Sequence, residues 1–300
     1  MGKVYEALKK AEVDGNPATW SSVGVEVAAA GAAKAKEKAR TNGNGVDFID
    51  YSLNAADAME IERQNLEMAA AQAARKSKVT PSREVSIDTS CIASQLFSFL
   101  NLNSDAAEEY NKLAIKLITT AGERPLKRIL VASAQHGEGR TSIILNLACS
   151  LARAQSRVLV LDTDLHRPSL LRLLGLSAEV GLTDALQKGL SAGSAVIRIK
   201  PYGFDLLPTR EQVKNPAELF SSISFTQMLE LLEPDYDFIL FDSPPLLTVA
   251  DSGLLIRHTH STVLVIRSGK TTSGQIGKAI APFAPEKILG VVLNRADRAA

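Results

Sequence analysis

Residues 133–148, SAQHGEGRTSIILNLA, decide how the rest of the chain is read. The stretch joins a Gly-rich turn to a basic residue, Arg140, a hydroxyl residue, Thr141, and an apolar run. In that run Ile143, Ile144, Leu147, Leu151 and Ala154 recur along one side of a helix. Upstream, KRILVAS reads as a buried strand, so the segment is strand, turn and helix. Glycines at 137 and 139 let backbone N–H groups point inward around a phosphate, and the helix N-terminus adds partial positive charge. Gly137, Glu138, Gly139, Arg140, Thr141 and Ser142 are therefore candidate phosphate-contacting residues, and the Thr141 hydroxyl stands where a Mg²⁺ ligand belongs. A turn of this kind also occurs as plain structure, so it needs support from elsewhere in the chain.

Support comes from two further strand ends. RVLVLDTDLHRPSL places Asp162 and Asp164 just past a buried strand, and YDFILFDSPPLLTVADS places Asp242 at the end of another. In open α/β sheets ligands sit outside the carboxyl ends of the strands. Carboxylates at that edge can supply a Mg²⁺ ligand and a proton acceptor for phosphoryl transfer. Taken singly, each acid could be a solvated strand end or a helix cap. Together they converge with the loop on one edge. Further apolar runs, FDLLP, STVLVIR and KILGVVLN, alternate with the helical candidates PAELFSSISFTQMLELL, DSGLLIR and TSGQIGKAIAPF, and EEYNKLAIKLITT also reads as a helix. The expectation is an α/β fold: a mostly parallel, doubly wound sheet with helices on both faces.

The expected domain occupies 82–300, with its core at about 104–295. Before it, AAAGAAKAKEKARTNGNG and AAQAARKSK are rich in Ala and Lys and poor in large apolar groups, which predicts a flexible, largely disordered linker over 14–80 with a marginal helix from Asn54 to Lys76. Val4, Leu8 and Ala11 recur at helical spacing among mixed charges, so residues 1–13 read as a short amphipathic helix suited to a protein partner.

Bulk properties exclude several classes. A net charge of +1 and 5% aromatic residues give no general attraction to nucleic acid and few base-stacking surfaces. No apolar run approaches the roughly 20 residues that span a bilayer. The start lacks the apolar centre of a secretory signal, so a cytoplasmic protein is expected, peripheral at the inner membrane only through a partner. Cys91 and Cys149 lie far apart in unrelated contexts and read as incidental thiols.

Over roughly Ser104 to Arg295 the chain resembles the cytoplasmic domain of the bacterial tyrosine kinases of capsule and exopolysaccharide biosynthesis, within the Min- and Par-like P-loop ATPases. GEGRTS resembles their Walker A loop, VLVLDTDLHRP their additional acidic motif, and YDFILFDSPP their Walker B motif. NPAELF (215–220), GVVLNR (290–295) and the opening MGKVYEALKKAE also resemble family segments. The resemblance implies ATP and Mg²⁺ as cofactors and phosphoryl transfer to tyrosine, usually between subunits of a self-associated ring. It also implies a membrane polysaccharide co-polymerase or adaptor as partner. By the same resemblance Arg140, Asp162, Asp164 and Asp242 are the catalytic set, Thr141, Asp162 and Asp242 the metal set, and Asp164 the proposed base.

Three departures keep other readings open. Arg140 replaces the loop lysine; a planar guanidinium and a compact ammonium are not equivalent in a tight cradle. The five tyrosines, at 5, 51, 110, 202 and 236, are scattered, and the chain ends LNRADRAA. The expected assembly helix offers Glu109 and Lys112, but Ile115 where the family carries Arg. His166 also stands where the family commonly has Arg, and reads as a minor change. A nucleotide-binding pseudokinase that scaffolds a co-polymerase is one alternative. A Min- or Par-like positioning ATPase is another, disfavoured by Gln135 at the position of that class's extra lysine.

Overall fold

Strand residues that are apolar on both sides must bury both faces of a sheet, and alternate side chains do so here. In the computed structural model, which describes residues 79–123 and 126–295, eight strands form one sheet. They are β1 (Arg83–Ser86), β2 (Arg128–Ser133), β3 (Val158–Asp162), β4 (Ile197–Lys200), β5 (Phe204–Leu207), β6 (Phe238–Asp242), β7 (Ser261–Arg267) and β8 (Ile288–Asn294). Ile129 and Val131 of β2, Val158 and Val160 of β3 and Leu240 of β6 enter the core on one face. Leu130, Ala132, Leu159, Leu161 and Phe241 enter the core on the other. Each of these buried Val, Leu, Ile and Phe side chains contributes ~1.5–3 kcal/mol relative to exposure.

The helices of seven residues or more are α1 (Asp105–Glu123), α2 (Arg140–Arg153), α3 (Ile223–Leu232), α4 (Ser252–His258) and α5 (Ser273–Ile280). Leu113 and Leu117 of α1 and Ile143, Leu147 and Leu151 of α2 cover the first face. Phe225 and Leu229 of α3, Leu255 of α4 and Ile276 of α5 cover the second. Both faces are thus closed, as expected. Of the α2 stripe, Ala154 lies beyond the helix as its exposed C-cap.

The strand order is β1-β4-β5-β3-β6-β2-β7-β8, parallel except where β4 meets β5. From β2 the chain crosses over β6 to reach β3; from β6 it crosses over β2 to reach β7. These opposite crossings open a crevice above the carboxyl ends of β2 and β6. The sheet is anchored at its far side by Asp205 of β5. Its carboxylate accepts from Arg198 Nε and Nη2 at 2.6 and 2.8 Å and from the buried Tyr236 hydroxyl at 2.9 Å.

Two strands were not anticipated. β4 (IRIK) alternates isoleucine with charge, and β1 (REVS) is a four-residue strand with mostly exposed side chains. Neither has the continuous apolar run of a central strand. The helical candidate over 216–232 is two helices, because the Ser222 hydroxyl accepts from Phe225 N at 3.1 Å and caps a new start. Cys149 is buried and Cys91 exposed. Among the described residues no helix is long and apolar enough to cross a membrane. The helix expected over 1–13, nearly all of the 14–80 linker, and Tyr5 and Tyr51 lie outside the described residues.

Candidate functional site

The loop leaving β2 sits at the crevice. Gly137 and Gly139 adopt φ of 76° and 97°, left-handed values that glycine adopts without strain, and Gly139 is the N-cap of α2. A Cβ on Gly139 would collide with Asn294 Nδ2. That amide donates to the Glu138 carbonyl at 2.7 Å, so the end of β8 clasps the loop from outside. The Glu138 side chain is buried: its carboxylate accepts from Gln135 N at 2.9 Å and from the Thr271 hydroxyl. Among the predicted loop residues Glu138 therefore shapes the loop with its carboxylate and is tied to β8 through its carbonyl. Thr141 lies in the first turn of α2, where its hydroxyl accepts from Ser169 Oγ at 3.3 Å; Ser142 uses its carbonyl to accept from Asn146.

Asp162 and Asp242 are brought together. They are register partners at the ends of the neighbouring strands β3 and β6, and both are fully buried. None of their four carboxylate oxygens meets a donor in good hydrogen-bond geometry among the described residues, although the Thr141 hydroxyl lies near Asp242 and the Leu170 and Asp164 N–H groups lie near Asp162. Burial and the facing Asp242 push Asp162 well above the usual carboxylate range. Burial likewise raises Asp242 to about 7, against the opposing pull of Arg140 and the Thr141 hydroxyl. Buried, unpartnered carboxylates are costly unless a cation or proton meets them. Among the described residues no group of three or more His, Cys, Asp or Glu could hold a metal. The donor set instead fits Mg²⁺, a hard cation commonly held by one or two carboxylates with phosphate oxygens completing its shell. Thr141, Asp162 and Asp242 would be the protein's share.

Arg140 and Asp164 form a second unit. Arg140 is buried with its guanidinium folded back beneath the loop. Nη1 donates to Ser133 Oγ and to the Gln135 carbonyl at 3.3 Å, and Nη2 donates to Asp164 Oδ2 at 3.3 Å. Asp164 Oδ1 accepts from Arg167 N at 3.0 Å. Burial raises the Asp164 pKa, while Arg140 pulls it back down. His166 turns aside and pairs through Nε2 with Asp251 Oδ2 at 2.6 Å, joining the loop after β3 to the start of α4. Burial, followed by the charges of Arg167 and Arg140, lowers the His136 pKa.

All the predicted site residues thus cluster at one sheet edge. Those that sequence reasoning missed are Ser133, Thr271, Asn294 and Asp251. Asn294 was quoted within GVVLNR, and nothing in its spacing announces a contact with residue 139.

Comparison with known proteins shows which family the chain resembles. A family model described as an AAA domain matches residues 126–277. The chain is 35% identical over 196 residues to the tyrosine-protein kinase YwqD of Bacillus subtilis, covering 65% of this chain and 81% of the relative. It is 28% identical over 209 residues to the tyrosine-protein kinase wzc of Salmonella typhi, covering 69% of this chain but 29% of that longer protein. Among solved structures, the chimerical protein CapA2B2 superposes with a TM-score of 0.63 at 25% identity, covering 77% of this chain and 99% of the other.

Proposed function

We propose a function from the premise that this chain belongs to the bacterial tyrosine-protein kinases, within the AAA-domain P-loop proteins. It transfers the γ-phosphoryl group of ATP to a protein tyrosine, in the capsule and exopolysaccharide machinery, beside a membrane co-polymerase or adaptor. Backbone N–H groups of Gly137 to Ser142 cradle the phosphates, and Arg140 contacts them with its guanidinium. Thr141, Asp162 and Asp242 hold Mg²⁺, which supplies charge neutralisation on the phosphates when bound. Asp164 takes the phenolic proton as the tyrosine oxygen bonds to phosphorus and the bond to the ADP oxygen breaks.

The observation that carries this reading is the pair of in-register, fully buried carboxylates with no well-aligned donor among the described residues, beside a glycine loop. Such a pair would be neutralised by a hard cation such as Mg²⁺, whose shell phosphate oxygens complete. Of the described tyrosines, Tyr236 is buried against Asp205, and burial raises Tyr110 to about 12. Tyr202 is half-buried and donates its hydroxyl to the Phe99 carbonyl at 3.3 Å, so the acceptor is another protein or a tyrosine outside these residues, such as Tyr51.

A second reading, a nucleotide-binding pseudokinase that scaffolds its partner, is favoured by one observation: Arg140 is already engaged with Asp164. Titration calorimetry of Mg-ATP into the full chain and its Arg140→Lys variant, with a phosphotyrosine assay on each, separates the two. Binding and labelling by the unmodified chain support the kinase. Binding without labelling, with labelling gained by Arg140→Lys, supports the scaffold. No binding by either refutes a nucleotide site.

A further inference from the structure

Arg140 holds the loop position whose basic residue is expected to meet phosphate, yet its guanidinium is already engaged. One end is held by neutral acceptors, Ser133 Oγ and the Gln135 carbonyl. The other end reaches a carboxylate at 3.3 Å, near the long limit of a charge-assisted hydrogen bond. Both side chains are about 7% exposed, so the pair is shielded from water. A carboxylate and a phosphate offer a guanidinium the same planar, anionic, two-oxygen edge. Asp164 thus presents internally the chemistry that the loop takes from its ligand. Asp164 also has a second anchor, Arg167 N at 3.0 Å, so its carboxylate stays at the site edge if the guanidinium leaves.

We propose that Asp164 is an internal competitor for the phosphate site: a nucleotide phosphate and the Asp164 carboxylate bind the Arg140 guanidinium in exchange. Arg140 is then the residue that couples occupancy to chemistry. The internal pair screens Asp164; with a phosphate bound, Arg140 turns to the ligand, and the carboxylate assigned above as base loses its cation. The affinity for nucleotide is set below its intrinsic value by the strength of the internal pair, as for any ligand whose competent state is a fraction of the ensemble. The inference rests on the nucleotide reading above, and Arg140 lets this chain use an exchange that a short ammonium, without the fork geometry, would make less completely.

The experiment is a calorimetric double-mutant cycle with Mg-ATP on the full chain, using Asp164→Asn, Arg140→Gln and both together. Exchange predicts that Asp164→Asn binds Mg-ATP roughly tenfold more tightly while losing phosphotyrosine formation, since a hydrogen bond to a charged group is removed from the competing state. It also predicts that the gain vanishes in the Arg140→Gln background. An unchanged or weaker affinity in Asp164→Asn overturns the proposal. So does an equal gain in the Arg140→Gln background, which would mean that only a nearby negative charge had been removed. Asp164→Ser, a smaller neutral side chain, must give the same gain if Asn perturbs folding. Absence of Mg-ATP binding in both the unmodified chain and Arg140→Lys overturns the nucleotide reading and this inference together; binding without the gain overturns the exchange alone.

Discussion

Replacing Asp242 by Asn should stabilise the ligand-free protein while abolishing its use of Mg²⁺. Asp242 is fully buried, faces Asp162 across adjacent strands and has no donor in good hydrogen-bond geometry among the described residues, with Arg140 and the nearby Thr141 hydroxyl favouring its charge. Burial raises its pKa from 3.8 to about 7. The folded state therefore holds a proton that the unfolded chain releases between those values. Stability from this group is full below the unfolded pKa and is lost as pH rises through the folded one. The loss is at most ~4 kcal/mol above neutrality. An Asn side chain removes that titration but buries an amide needing partners, which costs about 1–2 kcal/mol, partly recovered by donation to Asp162. The net expectation is a gain of ~2–3 kcal/mol at about pH 8, falling through zero to a loss of about 1–2 kcal/mol near pH 4, where only the amide cost remains. For a domain of this size that is a rise in Tm of roughly 5–10 °C at the higher pH. Thermal unfolding without metal, scanned across pH for both proteins, measures it directly. Mg-ATP should then stabilise the unmodified chain and leave Asp242→Asn unmoved. A variant less stable than the parent at the higher pH, or a difference that does not change with pH, would refute the account of two strained carboxylates awaiting a cation.

Other changes test the frame around the site. Gly139→Ala places a side chain at a positive φ and drives its Cβ into Asn294, so a cost of about 1–3 kcal/mol and loss of Mg-ATP binding are expected in unfolding and calorimetry. Adding Asn294→Ala should recover part of the stability but not the binding, because the backbone strain remains and the clasp on Glu138 is gone. Asp205→Ala leaves Arg198 and the buried Tyr236 hydroxyl without their shared acceptor; with Arg198 partly solvated, denaturant unfolding should show a loss of ~2–3 kcal/mol and Mg-ATP affinity should be unchanged.

What the sequence disclosed, and what it withheld, divides along a physical line. β2, β3 and β6 were legible because a central parallel strand is apolar on both faces, and an acid closing such a run marks the carboxyl edge by itself. Asp162 and Asp242 could be placed on that edge without knowing that they are register partners. β4 escaped because Ile197 and Ile199 point inward while Arg198 and Lys200 do not, a pattern that the fully buried template rejects. The helix over 216–232 was overextended for a related reason: apolar spacing ran through Ser222, whose capping bond restarts the helix. The site's polar framework was the least readable part. Glu138 meeting Thr271, Asn294 meeting Gly139 and Arg140 meeting Asp164 each join residues on different elements, and such contacts impose no period on either segment. The consequence is sharpest at residue 140. The sequence raised the question of whether an arginine can serve a loop built for lysine, and phosphate geometry alone supplied no decision. The structure adds the group that arginine holds meanwhile. An ammonium approaching Asp164 would be a point charge with three equivalent donors, whereas the guanidinium spans from Ser133 and Gln135 at one end to Asp164 at the other. That span makes the substitution a change in how the loop is tied to Asp164 as well as in how it grips phosphate.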